Sequence, residues 1–180
     1  AQPLLDVPES DFLFEDLASQ DRILDRIVDV CTHPNGVLAT SEPLLDVQVL
    51  APMKKGTLGV WNINTKLQAA LNPPEPGKKE HISGESLFRE GDRVMQMKNN
   101  YKVEWKRRLP NGTSEDGTGA FNGDLGTIFQ IHELDRCLSV IFDDDRLAMF
   151  DFTQLDEIEL AYCISIHKSQ GSEFPVVILP

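Results

Sequence analysis

Ala161-Tyr162-Cys163-Ile164-Ser165-Ile166-His167-Lys168-Ser169-Gln170-Gly171-Ser172-Glu173-Phe174-Pro175-Val176-Val177-Ile178-Leu179-Pro180 is the stretch whose reading decides the fold. Residues 161–166 and 176–179 are short, unbroken apolar runs, partly β-branched, the pattern of strands buried on both faces of a parallel sheet. Between them His167 to Glu173 packs a His, a Lys, two Ser, a Gln, a Gly and a Glu into one turn. A core segment has no use for so many hydrogen-bonding side chains at the carboxyl end of a buried strand, the edge where open α/β sheets hold their ligands. A plain solvated connection stays open for this turn taken alone.

Working outward, Val47-Gln48-Val49-Leu50-Ala51 reads as a second strand of the same kind. It runs through Pro52-Met53-Lys54-Lys55-Gly56-Thr57-Leu58-Gly59 into a helix with Val60, Ile63, Leu67 and Leu71 on one stripe, stopped by Asn72-Pro73-Pro74. Strand, basic glycine-containing turn and helix is an order that offers backbone N–H groups and lysines to an anion. A lysine turn that merely stays hydrated fits this segment equally. Upstream, Phe12-Leu13-Phe14 reads as a short strand, and Ser19 as the N-cap of a helix over 20–32 with Ile23, Ile27, Val30 and Cys31 on its apolar face. Pro34-Asn35-Gly36 ends that helix and 37–45 is a connector.

Residues 76–87 are rich in Pro, Gly and charge and read as a linker. Short alternating strands follow over 88–157, with an Asn122-Gly123 turn and an Asp143-Asp144-Asp145 turn, the pattern of a small β-barrel set into the α/β unit. Residues 106–119 read as a polar, mobile loop. The division is therefore 1–75 and 158–180 for the α/β part, with the barrel inserted between them.

Composition narrows the function. The net charge of −12 is awkward for a protein that binds nucleic acid. The charge is uneven, however: 1–50 holds ten acids against two bases and 133–160 nine against two, while 89–108 holds seven bases against three acids. Any phosphate-facing surface belongs to the middle of the chain. The three cysteines are far apart, without metal spacing, which suits buried thiols in a reducing cytoplasm and no metal site. No apolar run approaches the ~20 residues of a membrane span, so no membrane partner is expected.

Three stretches carry a resemblance. Ser165-Ile166-His167-Lys168-Ser169-Gln170-Gly171-Ser172-Glu173-Phe174 resembles motif V of superfamily 1 DNA helicases, and within them the RecD-like branch, the family of the exodeoxyribonuclease V alpha subunit, with Ser165 where Thr is usual. Gln48 to Gly56, with Gly59 and Asn64, resembles motif IV of the same branch, where a basic residue reaches the γ-phosphate of ATP; many relatives have Arg where this chain has Lys54 and Lys55. Phe88-x-x-Gly91-Asp92-x-Val94-Met95-x-x-x-Asn99-x-Tyr101, followed by Asn122-Gly123-Asp124-x-Gly126, resembles the SH3-like insert of the longer RecD-type helicases, with an elaborated connection between Tyr101 and Asn122.

The resemblance implies an α/β RecA-like second motor domain, incomplete, with an inserted SH3-like barrel. It implies a parent enzyme that couples ATP and Mg2+ to 5′-to-3′ movement on single-stranded DNA, and a first motor domain elsewhere in the same chain. Lys54, Lys55, Gln170, Gly171 and Glu173 are then nucleotide-facing, and Ser165, His167, Lys168, Ser169, Lys98, Asn99, Asn100 and Tyr101 DNA-facing. No G-x-x-x-x-G-K-[ST] loop occurs, and Asp156-Glu157 sits in a polar connector rather than in a magnesium-binding strand. The 180 residues alone are expected to hold no cofactor and to hydrolyse nothing. The alternatives are a stand-alone nucleic-acid-binding module built on the barrel and, favoured by acidity only, a protein-interaction adaptor.

Overall fold

The computed structural model describes residues 12–33 and 43–180. Helix α1 (Gln20–Thr32) begins where the Ser19 hydroxyl accepts from the Arg22 N–H, and it buries Leu24, Ile27, Val30 and Cys31. The Pro34-Asn35-Gly36 stop and most of the 37–45 connector lie outside the described residues; a single helical turn, α2 (Pro43–Asp46), enters the sheet. Phe12 to Phe14 form no strand and stay exposed. Three consecutive apolar residues have no one-sided pattern to bury, and no sheet counts them among its strands.

Strand β1 (Val47–Ala51) is buried at every residue and is followed by α3 (Val60–Leu71). It is the centre of a three-stranded parallel sheet, flanked by β11 (Cys163–Ser165) and β12 (Val176–Ile178). The expected parallel sheet is present, with one difference. β12 is half-exposed rather than buried on both faces, because β1 is its one hydrogen-bonded neighbour among the described residues. Leu24, Ile27, Val49, Ile63, Leu67 and Cys163 pack between this sheet and the helices α1 and α3.

Seven strands form a second, antiparallel sheet in the order β10-β4-β7-β8-β9-β5-β6. They are β4 (Arg93–Gln96), β5 (Asn100–Arg108), β6 (Ser114–Ala120), β7 (Leu125–His132), β8 (Cys137–Phe142), β9 (Leu147–Asp151) and β10 (Ile158–Leu160). Alternate residues of these strands, among them Val94, Val103, Ile128, Leu138, Val140 and Phe150, fill a core separate from that of the parallel sheet.

Two stretches are more ordered than composition suggests. The linker reading of 76–87 gives way to a hairpin, β2 (Glu80–Ser83) with β3 (Ser86–Arg89), locked by the Arg89–Glu80 ion pair at 2.7 Å. The loop reading of 106–119 gives way to the β5–β6 hairpin, in which Leu109 to Thr113 makes the turn. Gly117 is there for space, since a Cβ on it would lie 2.3 Å from the Trp105 ring across the hairpin, whereas Gly112 in the turn takes φ +84°. Arg107 pairs with Glu115 across the same two strands at 2.6 Å. A polar, glycine-containing edge hairpin lacks the apolar alternation by which strands are recognised.

Candidate functional site

Parallel pairing of β1 with β11 sets Ala51 beside Ser165. Both strands therefore leave the sheet at the same carboxyl edge, and the 52–59 and 166–175 turns emerge together. Lys54, Ser165 and Lys168 line one small cleft there, floored by Val60, Met95 and Ile164. Lys55 points elsewhere, with its ammonium 5.4 Å from the ring centroid of the half-exposed Trp61. Lys54 is thus grouped with residues assigned by sequence to DNA, not with Gln170, Gly171 and Glu173.

The basic turn is not an open anion cradle. Val60 N–H donates to Met53 O at 3.0 Å and Trp61 N–H to Lys54 O at 3.2 Å, so α3 spends its first donors on the turn that precedes it. Gly59 N–H donates to Gly56 O at 3.0 Å, and a Cβ on Gly59 would sit 2.5 Å from the Lys55 carbonyl carbon. The glycines close the turn upon itself. What the turn presents outward is lysine side chains, without the N–H array expected from the sequence.

The second turn begins as a 3₁₀ segment over Ile166–Ser169. The Ser169 hydroxyl donates to Ile166 O at 2.8 Å and Ser172 N–H to Ser169 O at 3.0 Å. Gly171 takes φ +88°, which allows the reversal. Ser165 opens the segment without capping it, and His167 and Gln170 are exposed with no hydrogen-bond partner among the described residues. Lys168 reaches across to the antiparallel sheet and donates to Asn122 Oδ1 and to Met97 O, the latter at 3.5 Å. Glu173 lines a different hollow with Ser172 and Phe174, opposite Arg93, Asp124 and Arg146 of the antiparallel sheet. The residues read as nucleotide-facing therefore do not converge on one point.

The β4–β5 candidates split into two kinds. Lys98 forms an exposed ion pair with Asp156 at 2.5 Å, and the hydrogen bond to that carboxylate raises the Lys98 pKa. Asn99 Oδ1 accepts from Asn122 N–H at 2.9 Å, while Asn100 donates to Glu157 at 2.8 Å and accepts from Lys102 N–H at 2.9 Å. These asparagines stitch the loops together. Tyr101 is different: 68% exposed, it meets the 41% exposed Phe121 edge-to-face with centroids 5.8 Å apart. Lys168, Asn122, Asn99, Phe121 and Tyr101 form one continuous run from the parallel-sheet turn onto the antiparallel sheet.

Sequence reasoning missed the polar residues inside. Gln48 and Asn64, quoted for their motif, are buried and hold backbone: Gln48 Nε2 donates to Ala161 O and Tyr162 O, at 3.3 and 3.2 Å. Asn64 donates to Leu160 O at 3.1 Å and Cys163 O at 2.8 Å, and accepts from Cys163 N–H at 2.8 Å. Asp92, quoted only within the barrel pattern, is fully buried. Burial pushes its carboxyl pKa up, against hydrogen bonds from Asn72, Arg89 N–H, Gln68 and Tyr162. The available signal was spacing: Gln48, Asn64 and Gln68 fall on the inward side of elements whose other inward residues are apolar. Among the described residues no group of three His, Cys, Asp or Glu side chains is placed to hold a metal ion, and no helix is long and apolar enough to cross a membrane.

Residues 63–142 match the SH3 domain of ATP-dependent RecD-like DNA helicases, and residues 160–180 match the UvrD-like helicase C-terminal domain. The chain is related to RecD-like DNA helicases. It is 35% identical over 132 residues to the ATP-dependent RecD2 DNA helicase of Deinococcus radiodurans, covering 73% of this chain and 16% of that protein. An uncharacterized protein of Methanocaldococcus jannaschii is 31% identical over 144 residues, covering 74% of this chain and 12% of its own length. The chain spans less than a fifth of either relative. Unliganded Pif1 from a Bacteroides species superposes with a TM-score of 0.44 at 20% identity, over 76% of this chain and 47% of that one. The SH3 match opens within α3 and runs to the end of β8; the UvrD-like match begins at the crossing from β10 and takes in β11, the 166–175 turn and β12.

Proposed function

We propose that this chain is the barrel-bearing part of the second motor domain of an ATP-dependent, RecD-like DNA helicase acting in the cytoplasm. In this reading 1–75 and 158–180 belong to the motor sheet, 88–157 to the inserted barrel, and the 80–89 hairpin leads into it. A first motor domain of the same enzyme brings ATP with Mg2+, and movement on single-stranded DNA is 5′-to-3′. The observation that carries the reading is the contact of Lys168 with Asn122, which is itself bonded to Asn99. It joins the turn that resembles motif V to the barrel loop that ends in the Tyr101–Phe121 pair, so one strand of DNA meets a continuous surface.

On that surface the Ser165 hydroxyl, His167, Lys168, Ser169 and Lys54 address phosphate, and Tyr101 with Phe121 offers bases a stacking face. Asn99 and Asn100 shape the loops, and Lys98 adds positive charge beside them. Base stacking on one aromatic is worth ~1–3 kcal/mol, and each lysine lost from a phosphate contact lowers the salt slope by about one. ATP fits the residues present only in part. Lys54 and Glu173 line separate hollows, and Lys55 lies over Trp61. The exposed 170–173 turn, with Gln170, Gly171 and Glu173, is what this chain offers to a nucleotide held by the first motor domain. No step of hydrolysis is assigned to it.

The test uses the complete enzyme that the reading requires, with K168A and Y101A measured by single-stranded DNA affinity at several salt concentrations. K168A is expected to weaken binding and flatten the salt slope, and Y101A to weaken binding with the slope kept. Wild-type affinity in both variants sinks the surface. The 180-residue chain alone is expected to hydrolyse no ATP, and magnesium-dependent hydrolysis by it overturns the division of the motor.

A further inference from the structure

Where β10 ends and β11 begins, four residues, Leu160 to Cys163, carry the chain from the antiparallel to the parallel sheet. A short extended crossing between two domains is ordinarily a place to flex. This one is bonded along its whole length. Ala161 N–H donates to Arg93 O at 2.8 Å, Gln48 and Asn64 take the carbonyls of Leu160, Ala161, Tyr162 and Cys163, and Asn64 also accepts from Cys163 N–H.

Asp92 completes the arrangement. Its side chain is out of contact with solvent and accepts four hydrogen bonds: Gln68 Nε2 and Arg89 N–H on Oδ2, both at 2.6 Å, and Asn72 Nδ2 at 2.7 Å and Tyr162 OH at 2.9 Å on Oδ1. Gln68 and Asn72 come from α3 and its C-cap on the parallel sheet, and Arg89 from the end of β3, where the chain enters the barrel; Tyr162 lies in the crossing itself. Among the described residues no cationic side chain pairs with the two oxygens, so neutral donors alone answer the charge. A carboxylate is costly to bury, and its oxygens are left unsatisfied if any of the three units moves away.

We infer that Asp92 and Tyr162 clasp the barrel to the motor sheet as one rigid body, with Asp92 a positioning residue that holds the 166–169 turn and the 98–101 and 121–122 loops at a fixed separation. The rigidity stands on the hydrogen bonds; its use in holding single-stranded DNA rests on the reading proposed above. Conformational change during a motor cycle then lies outside the crossing.

Two measurements test this, each with Tyr162→Phe, which keeps the ring in place, and Asp92→Asn, which turns two donors against donors. Hydrogen exchange at the amides of 161–163 is expected to be as slow in the wild type as in the barrel core, and roughly tenfold or more faster in both variants, because a buried partner has lost its mate. In the complete enzyme, the concentration of single-stranded DNA giving half-maximal ATPase stimulation is expected to rise about fivefold or more in Y162F. The DNA-free rate and the salt slope should be unchanged, since the phosphate contacts remain and only their preorganisation is lost. Unaltered exchange in both variants overturns the clasp. Faster exchange with an unchanged half-stimulation point overturns the positioning role. A wild-type enzyme that single-stranded DNA does not stimulate overturns the helicase reading instead, and exchange alone then decides the clasp.

Discussion

Asn64→Ala is the sharpest single perturbation of the crossing. The side chain is 4% exposed and makes three hydrogen bonds, all to backbone groups of Leu160 and Cys163. Alanine leaves one buried N–H and two buried carbonyls without that partner. The N–H has no alternative, whereas each carbonyl keeps a second lone pair, so the loss is weighted toward Cys163 N–H. At about 1–3 kcal/mol per orphaned group, and discounting the carbonyls, the sum is about 3–4 kcal/mol. Against a total stability of about 5–15 kcal/mol this is a large fraction. With a urea slope of about 2 kcal/mol/M it moves the midpoint down by roughly 1.5–2 M. Urea unfolding of the 180-residue chain followed by circular dichroism reads it directly. Thr65→Ala, one residue along the same helix, is the control: its hydroxyl donates to Trp61 O at 3.0 Å on the exposed side, and its loss should stay within about 0.5 kcal/mol. An Asn64→Ala variant that loses less than about 1 kcal/mol, or no more than the control, refutes the account of a bonded crossing.

Gly117→Ala places a Cβ 2.3 Å from Trp105 Cζ2 and should cost about 1–3 kcal/mol by overpacking. A drop in melting temperature with a changed Trp105 fluorescence is the expected result, and wild-type melting refutes the cross-strand packing. Burial pushes the thiols of Cys31 and Cys163 up to about 12, while Cys137 is half-exposed and raised by burial and by the carboxylates of Asp135 and Asp151. At pH 8 a thiol reagent should therefore find one accessible cysteine in the folded chain and three after unfolding; two fast thiols in the folded chain contradict the core.

The parallel sheet was legible because its strands are continuous apolar runs ending in polar turns, a pattern that fixes both direction and edge. α1 and α3 were legible from one stripe each, and Ser19 from its capping chemistry. The β2–β3 and β5–β6 hairpins were not, since edge hairpins stabilised by Arg89–Glu80, Arg107–Glu115 and Trp105 over Gly117 depend on pairs across strands, which sequence order conceals. The site was legible in its residues and not in its grouping. His167 to Glu173 and Lys54 do share an edge, but whether Lys54 sides with Ser165 or with Glu173 depends on where the barrel sits, and that is set by contacts 70 to 113 residues apart, as in Tyr162 to Asp92 and Gln48 to Ala161.

The acidity of the chain, which argued against nucleic acid, takes a different meaning once the acids are located. Several are answered within the fold: Asp143 takes both ends of the Arg93 guanidinium at 2.5 Å, Asp124 and Asp144 hold Arg146 at 2.7 and 2.6 Å, and Glu115 holds Arg107. Each of these pairs also spends an arginine, so the balance of −12 is not a uniform field. What is left facing water along the proposed track is Lys54 and His167, neither with an ion-pair partner among the described residues, with Lys168 beside them on a neutral asparagine. Because the Debye length is about 8 Å at physiological salt, remote carboxylates are screened from this strip, while Glu159, which lines the same cleft as Lys54 and Lys168, is not. Binding by few phosphate contacts against an acidic background should be weak, with a shallow salt slope, which suits a surface that must release DNA as often as it grips it.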